Sequence, residues 1–177
     1  VALTAAGVRS DFSGCAVTEA TEGHVCWESN SAFGEAHLHV RGRMEFDGCV
    51  MLTLQLTAED ACRLDELALA LRWRTEHAWL AAGMGYRGKR EGDRTWRHIT
   101  RGAKGFDLML WLGSIEAGLG FATWETSPWE DAARADAALI TGGDEAVTLM
   151  LNLGNHKITP EQPWQLTFAL LPTPVKP

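Results

Sequence analysis

The stretch Glu35-Ala-His-Leu-His-Val-Arg-Gly-Arg-Met-Glu-Phe-Asp-Gly-Cys-Val-Met-Leu-Thr-Leu-Gln-Leu56 decides the fold. In its first half Leu38, Val40, Met44 and Phe46 fall on one side of an alternating pattern. His37, His39, Arg41, Arg43 and Glu45 fall on the other. After Asp47-Gly48 the alternation resumes, with Val50, Leu52, Leu54 and Leu56 apolar. A period of two is that of a strand with one face toward a core, and two such runs around Asp-Gly read as a β-hairpin. Parity then fixes the loop. A two-residue Asp47-Gly48 loop would set Met44 against Met51 and Val40 against Gln55, joining an apolar face to a polar one. A three-residue loop, Phe46-Asp47-Gly48, sets Met44 against Val50 and Val40 against Leu54, with Gly48 in the left-handed position of a bulged turn.

Strand signals continue on both sides of this hairpin. His24–Glu28 is a short one, and Glu66–Trp73 places Leu67, Leu69, Leu71 and Trp73 on one face. His77–Ala82, Phe106–Leu112, Leu119–Trp124, Ala146–Leu153 and Trp164–Leu171 are further apolar pieces of strand length. Ala58–Arg63 reads as a helical turn at a strand end, and the Ala-rich Trp129–Leu139 as a short helix. Gly83–Gly105 reads as one long irregular segment, and such segments in compact domains carry function or are disordered. The expectation is an all-β fold, an antiparallel β-sandwich of about eight to ten strands with few short helices. The length of 177 residues suits one sandwich domain spanning residues 1–177.

The composition, 46% hydrophobic and 22% charged, is that of a soluble globular chain. There is no apolar run long enough for a membrane-spanning helix. Val1–Arg9 lacks the basic start and apolar core of a signal peptide, as a mature chain or an excised domain also would. A net charge of −7 argues against a nucleic-acid backbone or an anionic membrane as partner. Eight tryptophans against one tyrosine is the unusual feature. It fits core filling, and it fits a platform on which sugar rings stack. Cys15, Cys26, Cys49 and Cys62 contain no C-x-x-C pair, so a zinc ribbon or thioredoxin-like site is not expected. They allow three disulfide pairings, and free thiols fit equally well.

Three local features carry a family resemblance. The first is Trp111-Leu112-Gly113, followed by Glu116-Ala117-Gly118-Leu119 and closed by Trp124 and Trp129. The second is the Arg43–Leu56 hairpin with its Asp-Gly turn, and the third is the terminal Thr173-Pro174-Val175-Lys176-Pro177. Together they resemble the β-sandwich domain that precedes the catalytic barrel in glycoside hydrolases of the family 123 type, the exo-β-N-acetylgalactosaminidase-like enzymes. Relatives usually carry an Asp after the Trp-Leu-Gly, where this chain has Ser114. The resemblance implies a non-catalytic accessory domain in a parent hydrolase, with 172–177 as a Pro-rich exit toward a C-terminal catalytic barrel. It also implies carbohydrate or that barrel as partner, no cofactor, and an extracytoplasmic location, periplasmic or secreted.

The candidate carbohydrate or domain-interface residues are Trp111, Trp124, Trp129, Trp96, Arg97 and His98. No catalytic and no metal-binding residue is assigned. Asp144-Glu145 resembles the adjacent acidic pair of substrate-assisted hydrolysis, but it follows Gly142-Gly143 at a turn, where acids simply face solvent. His37 and His39 share a strand face at a spacing compatible with metal ligation, without an evident third ligand. Gly83–Gly105 holds Tyr86, Arg87, Lys89, Arg90, Arg94 and Trp96, but no phosphate-loop spacing. Ser13, Ser114 and Ser127 lack a nucleophile elbow. Two rival readings stand beside the accessory domain. One is an independent carbohydrate-binding module, which needs exposed tryptophans in a row or cleft. The other is an aldose-epimerase-like sandwich enzyme, which needs one of His37, His39, His77 or His98 and a carboxylate facing one pocket.

Overall fold

The computed structural model describes residues 1–96, 109–124 and 137–174. Through them run β1 (Ala2–Ala5), β2 (Val8–Ser10), β3 (Ala16–Ala20), β4 (His24–Phe33), β5 (Ala36–Glu45), β6 (Val50–Thr57), β7 (Cys62–Arg74) and β8 (Leu80–Gly83). They continue as β9 (Tyr86–Lys89), β10 (Arg94–Trp96), β11 (Met109–Gly113), β12 (Gly118–Ala122), β13 (Ala138–Gly142), β14 (Ala146–Ile158) and β15 (Trp164–Thr173). One 3-10 turn, Thr75–His77, joins β7 to β8. Six strands form one sheet in the order β10-β13-β14-β7-β1-β2, and nine form the other in the order β3-β4-β5-β6-β15-β12-β11-β8-β9. Every described pairing is antiparallel. The expected all-β sandwich is therefore the fold, with more and shorter strands than the alternation pattern alone shows. No helix among the described residues is long and apolar enough to cross a membrane.

The β5–β6 hairpin has the predicted register. Met44 pairs with Val50, Val40 with Leu54 and Leu38 with Leu56. The Glu45 amide donates to Cys49 O and the Gly48 amide to Glu45 O, both at 2.9 Å. Gly48 sits at φ +86°, the left-handed region a bulged three-residue loop requires. The inner faces of the two sheets meet in one core. Leu38, Val40, Leu54, Leu56, Phe121 and Phe168 of the larger sheet meet Leu67, Leu69, Leu71, Val147, Leu149 and Leu151 of the smaller. Truncating any one buried leucine to alanine should cost about 2–5 kcal/mol. Met44 and Phe46 share the parity of this core face, yet both are exposed, and no residue of the smaller sheet lines the groove they border.

Four other expectations are corrected. Ala58–Arg63 holds no helical turn, since Cys62 and Arg63 already belong to β7. The alternation changes phase inside β7: Cys62 and Leu64 are buried, then Leu67, Leu69 and Leu71. Glu66 takes up the slip at φ +56°, its amide donating to Asn155 Oδ1 at 2.9 Å, opposite the irregular pairing around Gly154 of β14. A phase change reads in the sequence as the end of a strand. Gly83–Gly105 is not one irregular segment, because β9 and β10 lie within it; residues 97–105 fall outside the described ones. Met84 and Gly85, both at positive φ, make the tight turn between the paired Gly83 and Tyr86. Of the expected Trp129–Leu139 helix, Ala138 and Leu139 belong to strand β13, and 129–136 lie outside the described residues. Pro172 does not stop the last strand. It pairs with Leu119 inside β15, beyond the point where the β6 ladder ends at Leu170–Val50 and β15 has one neighbour left.

Two features are open to direct measurement. Gly42 faces Trp27 across the β4–β5 pair, where a Cβ would lie 2.1 Å from the indole. Gly42→Ala should therefore lower stability by about 1–3 kcal/mol, seen as a lower urea midpoint at unchanged slope; an unchanged midpoint would show that Trp27 moves aside without cost. All four cysteines are free, Cys15 exposed and Cys62 buried. Burial, with Glu35 nearby, pushes the Cys62 thiol above the usual range, and burial with Asp47 and Glu45 does the same for Cys49. A thiol reagent should modify Cys15 well before Cys62 in the native protein, and titrate four thiols after denaturation without reductant.

Candidate functional site

The Trp-Leu-Gly corner is a packing device. Strand alternation turns Leu110 and Leu112 inward, leaving Trp111 on the outer face of the nine-stranded sheet, where Gly113 pairs with Gly118. A Cβ on Gly118 would come within 2.3 Å of the indole, and one on Gly113 within 2.5 Å, so the ring lies where two side chains are missing. Trp111 Nε1 donates to Thr173 Oγ1 at 2.9 Å, pinning the β11–β12 corner to the end of β15. Ser114 closes the turn: its Oγ accepts the amides of Glu116 and Ala117 at 3.1 and 3.2 Å, and its own amide donates to Ala117 O at 2.7 Å. Accepting two amides is also what an Asp side chain does at a turn. The serine thus fills the turn-closing role that an Asp side chain can also take.

The other candidate residues are dispersed. Trp96 is half-buried, with Nε1 donating to Met84 O at 3.3 Å. The Arg94 guanidinium stacks 3.6 Å from the centre of the Tyr86 ring and 5.9 Å from that of Trp96. Arg90 donates from Nε to Ala78 O at 3.0 Å and from Nη1 to Gly92 O at 3.1 Å. These residues tie β9, at the edge of one sheet, to β10, at the edge of the other. Trp124 is 58% exposed, two residues beyond Ala122, which pairs with Met109. Trp129, Arg97 and His98 lie outside the described residues.

The acids and histidines occupy separate places. Asp144 and Glu145 border an open cleft of about 640 Å³ with Arg9, Arg72 and Thr148. His37 edges a shallow hollow of about 410 Å³ with Glu35, Glu59 and Asp60. His39 Nε2 lies 3.6 Å from Glu28 Oε2, and His77 Nε2 3.3 Å from Glu76 Oε1. His37 and His39 are alternate residues of one strand, yet each meets its own carboxylates.

Sequence reasoning missed an apolar groove of about 350 Å³ at the hairpin tip. Val25, Met44, Phe46, Pro172 and Pro174 line it. Phe46 is 84% exposed and Met44 41%. The tip is held in place: the Phe46 amide donates to Gly23 O at 2.9 Å, and a Cβ on Gly48 would lie 3.2 Å from Pro172. The groove therefore adjoins Thr173, the residue that anchors Trp111. The only sequence signal for it is a large aromatic in a turn.

Comparison with known proteins places this architecture. A family model described as "Glycoside hydrolase 123, third domain" matches residues 1–174. The chain belongs to this family. No curated protein matches it. Among solved structures, a protein provisionally named an aldose 1-epimerase from Escherichia coli K12 is 8% identical, with a TM-score of 0.49 over 89% of this chain and 68% of that one. A galactose mutarotase related enzyme from Lactobacillus acidophilus is 9% identical, with a TM-score of 0.45 over 92% and 72%. A provisionally named kojibiose phosphorylase from the human microbiome is 8% identical, with a TM-score of 0.43, and this chain spans 21% of its length.

In this third domain, Thr173→Val should cost about 1 kcal/mol by leaving the Trp111 indole N–H without its partner. Gly118→Ala should cost more, about 1–3 kcal/mol, by displacing the ring itself. Urea denaturation of both variants, with tryptophan emission as readout, checks the order. Equal, negligible losses would mean that Trp111 is not the pin of this corner.

Proposed function

We propose that this domain is a non-catalytic accessory sandwich of a glycoside hydrolase, seated against the catalytic barrel of the same protein through the groove at the β5–β6 tip. The observation that carries the reading is Phe46: a large aromatic at 84% exposure, on a hydrogen-bonded turn, beside Met44, Pro172 and Pro174. Grouped apolar side chains facing solvent mark interaction surfaces, and a rigid aromatic anchor is the typical centre of one. Family membership supports an occupant from the same protein, because a domain numbered third has other domains as neighbours. The sequence resemblance put the sandwich ahead of the barrel, whereas the family description counts it third. The docking proposal needs only that both domains share one protein. Fixed by Gly48 and Trp111, the groove would hold the barrel at a set angle and so shape the sugar-binding side.

Hydroxyl-radical footprinting of the isolated domain and of the full-length gene product tests this. Oxidation of Phe46 and Met44 should fall several-fold in the longer protein, and Phe46→Asp should restore the oxidation of Met44. Equal oxidation in both proteins overturns the docking site.

One observation favours a second reading, an independent carbohydrate-binding module: the exposed indole of Trp124. Under that reading, millimolar glycans should shift tryptophan emission in the wild type and not in Trp124→Ala. Emission that stays flat across a panel including N-acetylhexosamines removes it.

A further inference from the structure

We propose that Glu19, His24 and Cys26 form a binding site for a divalent cation of the zinc class, at the β3 edge of the nine-stranded sheet. One ligand atom from each residue lies within 4.8 Å of the other two. Ligands sharing one tetrahedral zinc sit roughly 3–4 Å apart, given metal–ligand bonds of about 2.0–2.3 Å, so small side-chain rotations close the site.

The backbone is arranged for this convergence. His24 and Cys26 are alternate residues of β4 and share a face. Glu19 pairs with Cys26 only because the β3 register shifts between Val17 and Glu19. Without that bulge Thr18 would oppose Cys26, and Glu19 would oppose Val25 on the other face. Re-aiming a side chain is a recognised use of a bulge.

The histidine is oriented as a ligand. Its Nδ1 lies 3.2 Å from Thr21 Oγ1, and that oxygen accepts the Gly23 and His24 amides at 3.2 and 3.1 Å. The tautomer with its proton on Nδ1, facing Thr21, is the one that presents the Nε2 lone pair to the cluster, and a bound cation would select it. Nε2 is shielded from solvent and makes no hydrogen bond, although Glu19 Oε1 is 3.2 Å away. A histidine whose second nitrogen is fixed by an oxygen is the usual form of a metal-binding imidazole.

The donor set suits zinc. A thiolate, a carboxylate and a neutral imidazole balance a dication, and three protein ligands leave one position for water. Arg43, opposite Cys26 in the β4–β5 ladder, is the nearby cation; Glu45 Oε1 neutralises it at 2.7 Å from Nε. All five residues of β3 are exposed. A bound ion would cross-link this edge strand to β4, and edge strands are where a sheet opens most readily. It would also brace the Thr21–Gly23 turn, which forms one wall of the Phe46 groove.

Titration of chelator-treated protein with Co²⁺ and then Zn²⁺ tests the site. One equivalent of Co²⁺ should bind with a thiolate-to-cobalt charge-transfer band, and Zn²⁺ should displace it. Cys26→Ser should abolish the band, and His24→Ala and Glu19→Gln should weaken binding at least ~10-fold. Cys15→Ser and Cys49→Ser should leave the band intact. Urea midpoints in metal-free buffer establish that each variant folds, and Glu19→Gln, on the exposed strand, disturbs the sheet least. Lack of stoichiometric binding, or a band that survives Cys26→Ser, overturns the site and leaves a His24–Glu19 ion pair.

Discussion

Everything in this domain depends on one constraint: side chains along a strand alternate, and only one face of each sheet meets the core. The β5–β6 hairpin enforces it at the middle of the nine-stranded sheet. Its loop has three residues because any even count would turn Val40 and Leu54 to opposite faces. β7 and β14 enforce it in the smaller sheet, along their full paired length. Where the β7 pattern slips, Glu66 adopts a left-handed conformation and Asn155 satisfies its amide. The strand thus re-phases and returns Leu64 and Cys62 to the core.

The tryptophans follow a second, related rule. Trp27 lies on Gly42, and Trp111 on Gly113 and Gly118. In each case a flat ring fills space vacated by a glycine on the same face of a paired strand. That explains the high tryptophan content without a sugar ligand for these two rings, and it makes the glycines of the Trp-Leu-Gly corner as necessary as the indole. The corner in turn fixes Thr173, and Thr173 sits between the two prolines of the apolar groove. The rigid scaffold thus leads directly to the groove proposed above as a docking surface.

Much of this was legible in the residues. The all-β class, the hairpin register, the long strands and the family all follow from alternation and from the Trp111–Gly118 motif. The errors have physical causes. A bulge looks like a strand end, so in the sequence the start of β7 reads as a turn. Hairpins such as β8–β9 are too short for a period to show. Pro172 remains in a strand because its second neighbour has already departed. Among the candidate residues, Trp111 and Trp96 spend their polar atoms on internal hydrogen bonds, and Trp124 stays at the surface.

The sequence by itself determined which residues face inward, because a period of two is a local property carried by each strand. It also determined that the Gly48 turn has an odd number of loop residues, because an even count would set apolar faces against polar ones. The tertiary structure alone decided which apolar residues are left uncovered. Met44 and Phe46 carry the core pattern, but no residue of the opposite sheet lines the groove they border. It alone decided, too, that Glu19 meets His24 and Cys26, since that meeting rests on a register shift between two strands. Where a sheet stops and how two strands are offset are properties of pairs of strands, and neither is written in one strand alone.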